Sequence, residues 1–200
     1  ARARKESGAT THALNETGKI YQRIVAKARE LNSRFIVMAP LSSDPGQKQR
    51  TLGVNAHRII RSAPCPVISI NGQFHYDGCR KILLPLDLSL ESRQKVNKAI
   101  EIARYFNSKI EVVMVKPQGV SVEDETRMKL QLKQVKEFID QNRIVCEMKL
   151  LKKAGNNSIP KEIINYADNK QDVDLIMIMT QPEGGIVELF LGSEAQEIIR

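Results

Sequence analysis

One acidic residue has a position in the sequence from which it could bind a ligand. Asp87 comes directly after the short apolar run KILLPL at 81–86, in the segment PLDLS. If that run is a parallel strand, a carboxylate at its carboxyl end lies where open α/β sheets bind ligands, at the point where strand order reverses. The alternative is structural, because Asp87 and Ser89 precede a helical pattern and could cap its free backbone amides. Asp87 is therefore a candidate binding residue and a candidate helix cap.

The cysteines and histidines do not have the spacing of a disulfide framework or a metal site. The chain contains Cys65, Cys79, Cys146, His12, His57 and His75. An odd number of cysteines without CxxC spacing argues against a disulfide framework and a structural zinc site. The histidines stand in separate segments, which disfavours a metal cluster, and no Ser, His and Asp set converges in the sequence. We expect three reduced, unligated thiols and no metal, and we interpret His57 as an exposed helix residue.

The charge of the chain raises the question of nucleic-acid binding. The formal net charge is +8, and clustered lysines and arginines would neutralise phosphates. The cations are instead interleaved with carboxylates, as in VEDETRMKLQLKQVKEFIDQNR at 122–143, which is typical of a solvated amphipathic helix. We expect no specific nucleic-acid partner.

No part of the sequence has the length and hydropathy of a membrane span. A span needs ~20 apolar residues, and no uninterrupted run approaches that length. The start, ARARKESGATTHALNE, has no apolar segment that could act as a signal peptide. The sequence therefore predicts a cytoplasmic protein with no membrane contact in this chain.

A repeat organises the chain. LGVNAHRII at 52–60 matches LGSEAQEII at 191–199 in Leu, Gly, Ala, Ile and Ile, an offset of 139 residues. Upstream, 20–40 parallels 159–181 as a helix followed by a strand. Because the offset is the length of a domain, we interpret the chain as two copies of one module.

Strand and helix patterns alternate within these copies. In the second copy we predict strands near 81–86, 109–115, 144–151 and 173–179, and helices near 91–106, 122–140, 159–168 and 192–200. In the first we predict helix 18–31, strand 34–38, helix 53–62 and strand 66–70. Apolar stripes support the long helices: Val96, Ile100 and Ala103 in one, and Met128, Leu132, Val135 and Ile139 in the next. Continuous apolar strands alternating with helices predict an α/β fold with a doubly wound parallel sheet.

These segments resemble the universal stress protein family. ILLPLDLSLESRQKVNKAIEIA is similar to its first strand, acidic turn and first helix, FIVMAP and LIMIMT to its fourth strand, and SAPCPVISI to its closing strand. The resemblance implies an adenine nucleotide alpha hydrolase-like sheet of order 3-2-1-4-5. On that template residues 1–73 are the carboxyl-terminal part of a first module, and 74–200 are a second module lacking its last strand. The tandem protein would then be truncated at both ends.

The resemblance also implies a nucleotide site in the second module. Asp87 takes the place of the acidic residue that holds the ribose or adenine. The family's phosphate loop reads Gly, two residues, Gly, nine residues, then Gly followed by Ser or Thr. Gly192 and Ser193 match its end, Gly184 and Gly185 are candidates for its second glycine, and only seven residues separate Gly184 from Gly192. The implied ligand is ATP or AMP, held weakly by a shortened loop.

The first module departs further from the loop pattern. Pro40 stands near the first glycine, six residues separate Gly46 from Gly53, and Val54 replaces the hydroxyl residue. No first strand precedes it in this chain to supply an acidic partner. We expect no nucleotide site there.

The sequence leaves three functions open. The first is a stress-response regulatory or binding protein that acts through dimerisation and is not an enzyme. The second is an ATP-using enzyme on the same fold, a weak hydrolase or an adenylate-transferring protein. The third is the regulatory tail of a transporter. For assembly, the apolar edge strand at 66–70 is expected to pair with another module or with a second chain.

Overall fold

The computed structural model describes residues 8–39, 53–70, 78–87, 92–170 and 172–178. The helices are α1 (Ile20–Glu30), α2 (Val54–Ser62), α3 (Ser92–Phe106), α4 (Val122–Gln141) and α5 (Ile159–Lys170). The strands are β1 (Ile36–Met38), β2 (Val67–Ser69), β3 (Lys81–Pro85), β4 (Lys109–Lys116), β5 (Cys146–Lys152) and β6 (Leu175–Ile176). Strands and helices alternate from β3 onward, as the sequence predicts.

Four parallel strands form the main sheet, in the order β5-β4-β3-β6. Every residue of β3 is buried, and the interior of β4 is buried as well. Central parallel strands are covered on both faces, which explains why β3 and β4 are composed largely of apolar residues. The order reproduces the first four positions of the predicted 3-2-1-4-5 arrangement, with β3 as strand one, and so confirms the fold class.

Helices cover both faces of the main sheet. One core joins alternate residues of β3 and β4 to the apolar stripes of α3 and α4: Ile82, Leu84, Ile110, Val112, Met114, Val96, Ile100, Ala103, Met128, Leu132 and Ile139. Val135 packs against this core from α4. The opposite core joins Leu83, Val113 and Val115 to Ile163 and Ala167 of α5. The predicted stripes of α3 and α4 are therefore confirmed as core residues.

The amino-terminal part of the described chain is a small α/β unit made of α1, β1, α2 and β2. β1 and β2 pair in parallel, with Ile36 opposite Val67. α1 packs on α2, and buried residues such as Val25 and Ile59 lie on these helices. Just before β1, Phe35 packs against the core of the main sheet, and the Arg34 guanidinium lies 5.3 Å from the centre of the Tyr105 ring. The division at 1–73 and 74–200 stays a prediction.

The strand predicted at 173–179 is shorter than expected. Its ladder with β3 covers Leu175 and Ile176, which are half-buried, and the Met177 amide extends it by donating to the Leu83 carbonyl at 2.9 Å. At its start, Asp174 Oδ2 accepts hydrogen bonds from the backbone amides of Arg80 and Lys81, at 2.7 and 2.9 Å. The Asp174 amide also donates to the Lys81 carbonyl at 3.0 Å, so side-chain and backbone hydrogen bonds both join this end of the strand to β3. The helix predicted at 192–200 lies outside the described residues.

Candidate functional site

The topology of the main sheet defines where a ligand would bind. From β3 the chain adds β4 and then β5 on one side, and it returns to place β6 on the other side of β3. The strand order therefore reverses between β3 and β6. Open α/β sheets bind ligands in the crevice outside the carboxyl ends of the strands at such a switch point.

Asp87 stands at this switch point. It follows β3, which ends at Pro85, by two residues, and its side chain is partly exposed. A partly exposed carboxylate can accept hydrogen bonds from ligand hydroxyl groups while still reaching solvent. The structure thus places Asp87 where the sequence argument puts it, although its role in binding and its role as a helix cap both stay predictions.

The strand end that carries Asp87 is held from three elements. The Leu86 amide donates to the Val113 carbonyl of β4 at 2.8 Å. From α4, Gln131 Nε2 donates to the Asp87 carbonyl at 3.1 Å. From α3, Lys95 Nζ donates to the Pro85 carbonyl at 2.7 Å. Lys95 and Gln131 thus donate side-chain hydrogen bonds to two backbone carbonyls at this strand end, which would otherwise need other donors.

Lys95 is a site residue that sequence reasoning missed. It is only 8% exposed, and burial lowers the pKa of its ammonium to about 8, although the nearby charge of Asp87 acts in the opposite direction. A signal for its burial exists in the sequence, because Lys95, Ala99 and Ile102 follow helical spacing and both apolar residues are buried. A lysine beside an apolar stripe is normally expected to face solvent, so helical spacing alone does not predict that Lys95 is buried.

The residues predicted to form the phosphate loop are not among those that the structure describes. Gly184, Gly185, Gly192 and Ser193 lie outside the described residues, and Ser89 does too. In the amino-terminal part, Gly53 directly precedes α2, as predicted, and Val54 at the helix start is exposed. Pro40 and Gly46 lie outside the described residues, so the loop of the first module stays a prediction.

A group of charges around the buried pair Lys81 and Glu111 lies at the opposite end of the main sheet. Lys81 begins β3, and its Nζ lies 2.9 Å from Glu111 Oε2, 3.0 Å from Asp172 Oδ2 and 3.3 Å from Glu147 Oε2. The Tyr166 hydroxyl donates to the other oxygen of Glu111. We call Lys81, Glu111, Glu147, Tyr166 and Asp172 the charge cluster. It stands at the amino ends of the strands, away from Asp87, so it serves stability rather than the candidate site.

The pKa values of the charge cluster follow from its burial and its pairing. Burial alone would disfavour the charged form of Lys81, but hydrogen bonding to Glu111 and then to Asp172 raises its pKa. Burial, together with the hydrogen bond to Glu111, raises the pKa of Tyr166. Lys81 and Glu111 therefore form an ion pair in the interior of the protein, where Glu111 is 3% exposed.

The cysteines are free thiols with raised pKa values. Burial raises the pKa of Cys146 to about 12, and it also raises the pKa values of Cys65 and Cys79. Within the described ranges no group of three His, Cys, Asp or Glu side chains could hold a metal ion. His57 is half-buried on α2 rather than exposed. That the thiols are reduced and unligated in solution stays a prediction.

The described part of the chain contains no helix that is both long and apolar enough to cross a membrane.

The family of the chain follows from the sequence of its larger part. Residues 78–200 match the profile of the Universal stress protein family, which is more than half of the chain. This region contains the main sheet, Asp87 and Lys95. The chain belongs to the universal stress protein family. No curated protein sequence matches it significantly.

Solved structures share the fold. A universal stress protein from Archaeoglobus fulgidus DSM 4304 is 16% identical, with a TM-score of 0.60 over 90% of this chain and 60% of its own. Universal stress protein UspA from Lactobacillus plantarum is 15% identical, with a TM-score of 0.51 over 61% of this chain and 91% of its own. The chain thus spans less than two thirds of the first of these structures. At these identities the similarity shows the fold alone.

One similar structure contains an adenine nucleotide. The universal stress protein from Archaeoglobus fulgidus in complex with dAMP is 25% identical, with a TM-score of 0.46 over 60% of this chain and 89% of its own. At that TM-score the similarity carries no argument about the ligand of this chain.

Proposed function

We propose that this chain is a cytoplasmic stress-response regulatory protein that binds an adenine nucleotide at the switch point of its main sheet and acts through binding rather than catalysis. The observation that carries the proposal is the position of Asp87, a partly exposed carboxylate two residues beyond the central strand β3. The stress-response role is the general one of the family to which the chain belongs.

The chemistry of Asp87 suits the sugar of a nucleotide. An ionised carboxylate only accepts hydrogen bonds, and the two hydroxyl groups of a ribose can both donate to it. Hydrogen bonds to a charged group contribute about 1.5–3 kcal/mol. Each 1.4 kcal/mol is a factor of about ten in affinity, so Asp87 would account for roughly one to two orders of magnitude.

The phosphates are assigned from the sequence to Gly184, Gly185, Gly192 and Ser193. Backbone amides of a glycine-rich loop at the start of a helix bind anions. Because the loop is shorter than in the family pattern, we expect ATP or AMP to bind weakly, at about micromolar concentration or above. A tight complex would not fit this proposal.

Calorimetric titration of ATP and AMP into the full protein tests the function. Two substitutions separate the two roles of Asp87, because Asn caps a helix as well as Asp does, whereas Ala does not. Asp87→Asn should keep the parent's melting temperature and weaken nucleotide binding about tenfold or more. Asp87→Ala should lose the affinity and some stability as well.

Glu137→Gln is the matched control, since Glu137 is an exposed carboxylate on α4 that pairs with Lys133. It removes the same charge and should leave the affinity unchanged. Binding in Asp87→Ala as tight as in the parent, or no heat of binding in the parent itself, would refute the proposal.

A further inference from the structure

We propose that Lys95 is the positioning residue of the candidate nucleotide site: from inside α3 it holds the end of β3 on which Asp87 stands. The proposal rests on the proposed function and deepens it, since it assigns a role to a residue that does not itself contact the ligand.

The contact with the strand end is direct. Lys95 Nζ lies 2.7 Å from the Pro85 carbonyl oxygen, and Pro85 precedes Asp87 by two residues. The side chain therefore ties the first turn of α3 to the end of β3, two residues before Asp87. Gln131 fixes the Asp87 carbonyl from α4 with an uncharged amide. A cation thus holds the carbonyl two residues before Asp87, and an uncharged amide holds the carbonyl of Asp87 itself.

The burial of Lys95 has a cost that packing does not explain. A lysine that is 8% exposed loses most of its hydration, and an apolar side chain of similar length would fill the same space without that loss. Asp87 favours the charged form of Lys95, because its carboxylate acts to raise the pKa that burial lowers. Among the described residues, Asp87 is the charged group that influences the ammonium in this way. The two side chains are therefore electrostatically coupled.

Ligand affinity distinguishes a positioning residue from a purely structural one. A structural lysine would change stability when replaced, but the folded variant would keep the parent's affinity for the nucleotide. A positioning lysine responds to Asp87, and its removal changes how well the site binds. Because Met has a similar length and no charge, Lys95→Met is expected to fold, and unfolding in denaturant will establish this.

The first measurement needs no nucleotide. Proton loss from Lys95 can be followed by NMR of protein with ¹³C-labelled lysine, and the parent should titrate near about 8. In Asp87→Asn the midpoint should fall, because the stabilising negative charge is gone. Glu137→Gln should not move it. An unchanged midpoint in Asp87→Asn would overturn the proposal.

The second measurement is the affinity of Lys95→Met for AMP by calorimetry. We expect it to be about tenfold weaker than the parent's, while Lys133→Met, which removes an exposed lysine of α4, keeps the parent's affinity. Parent affinity in Lys95→Met would overturn the proposal. If the parent itself does not bind AMP or ATP, the proposed function fails, and the lysine titration alone decides the coupling of Lys95 to Asp87.

Discussion

Lys81 is a lysine that the fold buries together with a carboxylate partner. It is 7% exposed and is surrounded by three carboxylates of the charge cluster, of which Glu111 is nearest at 2.9 Å. Removing one member of a buried ion pair leaves the other without compensation, which typically costs 3–5 kcal/mol. We predict that Lys81→Met lowers the free energy of unfolding by about 3 kcal/mol, as measured by denaturant titration.

Two further variants make this prediction specific. Lys133→Met removes an exposed lysine and should stay within about 0.5 kcal/mol of the parent. Lys81→Met combined with Glu111→Gln should recover part of the loss, because it leaves no uncompensated charge and keeps an acceptor for Tyr166. If Lys81→Met alone is as stable as the parent, the pair is not buried as described.

The junction between β4 and α4 is held by an ion pair that depends on pH. Lys116 ends β4 and hydrogen bonds to Glu125 in the first turn of α4, and Lys129 lies 2.7 Å from the other oxygen of Glu125. These contacts, that with Lys116 foremost, lower the pKa of Glu125 from its ordinary 4.5 to about 2. A carboxyl whose pKa is lower in the folded state stabilises above its unfolded pKa, and this contribution disappears as the pH falls.

We therefore predict that the parent loses more stability between about pH 6 and about pH 3 than Glu125→Gln does. The measurement is denaturant unfolding at both pH values. Glu123→Gln is the matched control, because Glu123 is an exposed acid of the same helical turn. This variant should lose as much stability between the two pH values as the parent does. An equal acid response in Glu125→Gln and the parent would contradict the role of this ion pair.

The elements of this fold are predictable where periodicity is strong. The apolar stripes predict helix 91–106 and helix 122–140, and the structure has α3 at Ser92–Phe106 and α4 at Val122–Gln141. Buried strands are predictable from their runs of apolar residues, because β3 and β4 are covered on both faces. The short length of β6 was not, and at its start the side chain of Asp174 adds hydrogen bonds to the backbone of β3 that no sequence pattern indicates.

Single buried charges are less predictable than the elements that contain them. The partners of Lys81 are Glu111, Glu147 and Asp172, which are distant in sequence and meet only in the folded sheet. Lys95 is similar, since its acceptor lies at the end of β3 and its burial depends on how α3 packs. The position of Asp87 was predictable from strand order, but the side chains that hold its backbone were not.

At the scale of the whole molecule, the outer edge of β2 is the feature that bears on assembly. It pairs with β1 along one edge, and within the described residues no strand pairs with its other edge. Exposed strand edges are sites of association, which is why we predict that another module or a second chain covers β2. Ile68→Lys would bury an unpaired charge in that contact, so it should lower the molar mass found by light scattering if two chains meet there, and the melting temperature if the contact lies within one chain.

Val54→Lys is the control for this prediction. Val54 is 68% exposed at the start of α2, so a lysine there adds the same charge to the same part of the chain without touching the strand. Its mass should equal the parent's. An Ile68→Lys variant that keeps both the parent's mass and its melting temperature would contradict this model of assembly.

The opposite placement of the charge cluster and Asp87 has a consequence for evolution. The residues that are costly to change lie at the amino ends of β3 and β4, while the ligand would meet side chains beyond the carboxyl ends. Substitutions at the carboxyl ends can therefore accumulate without weakening the network that holds the sheet together. A protein built in this way can change its ligand while it keeps its fold.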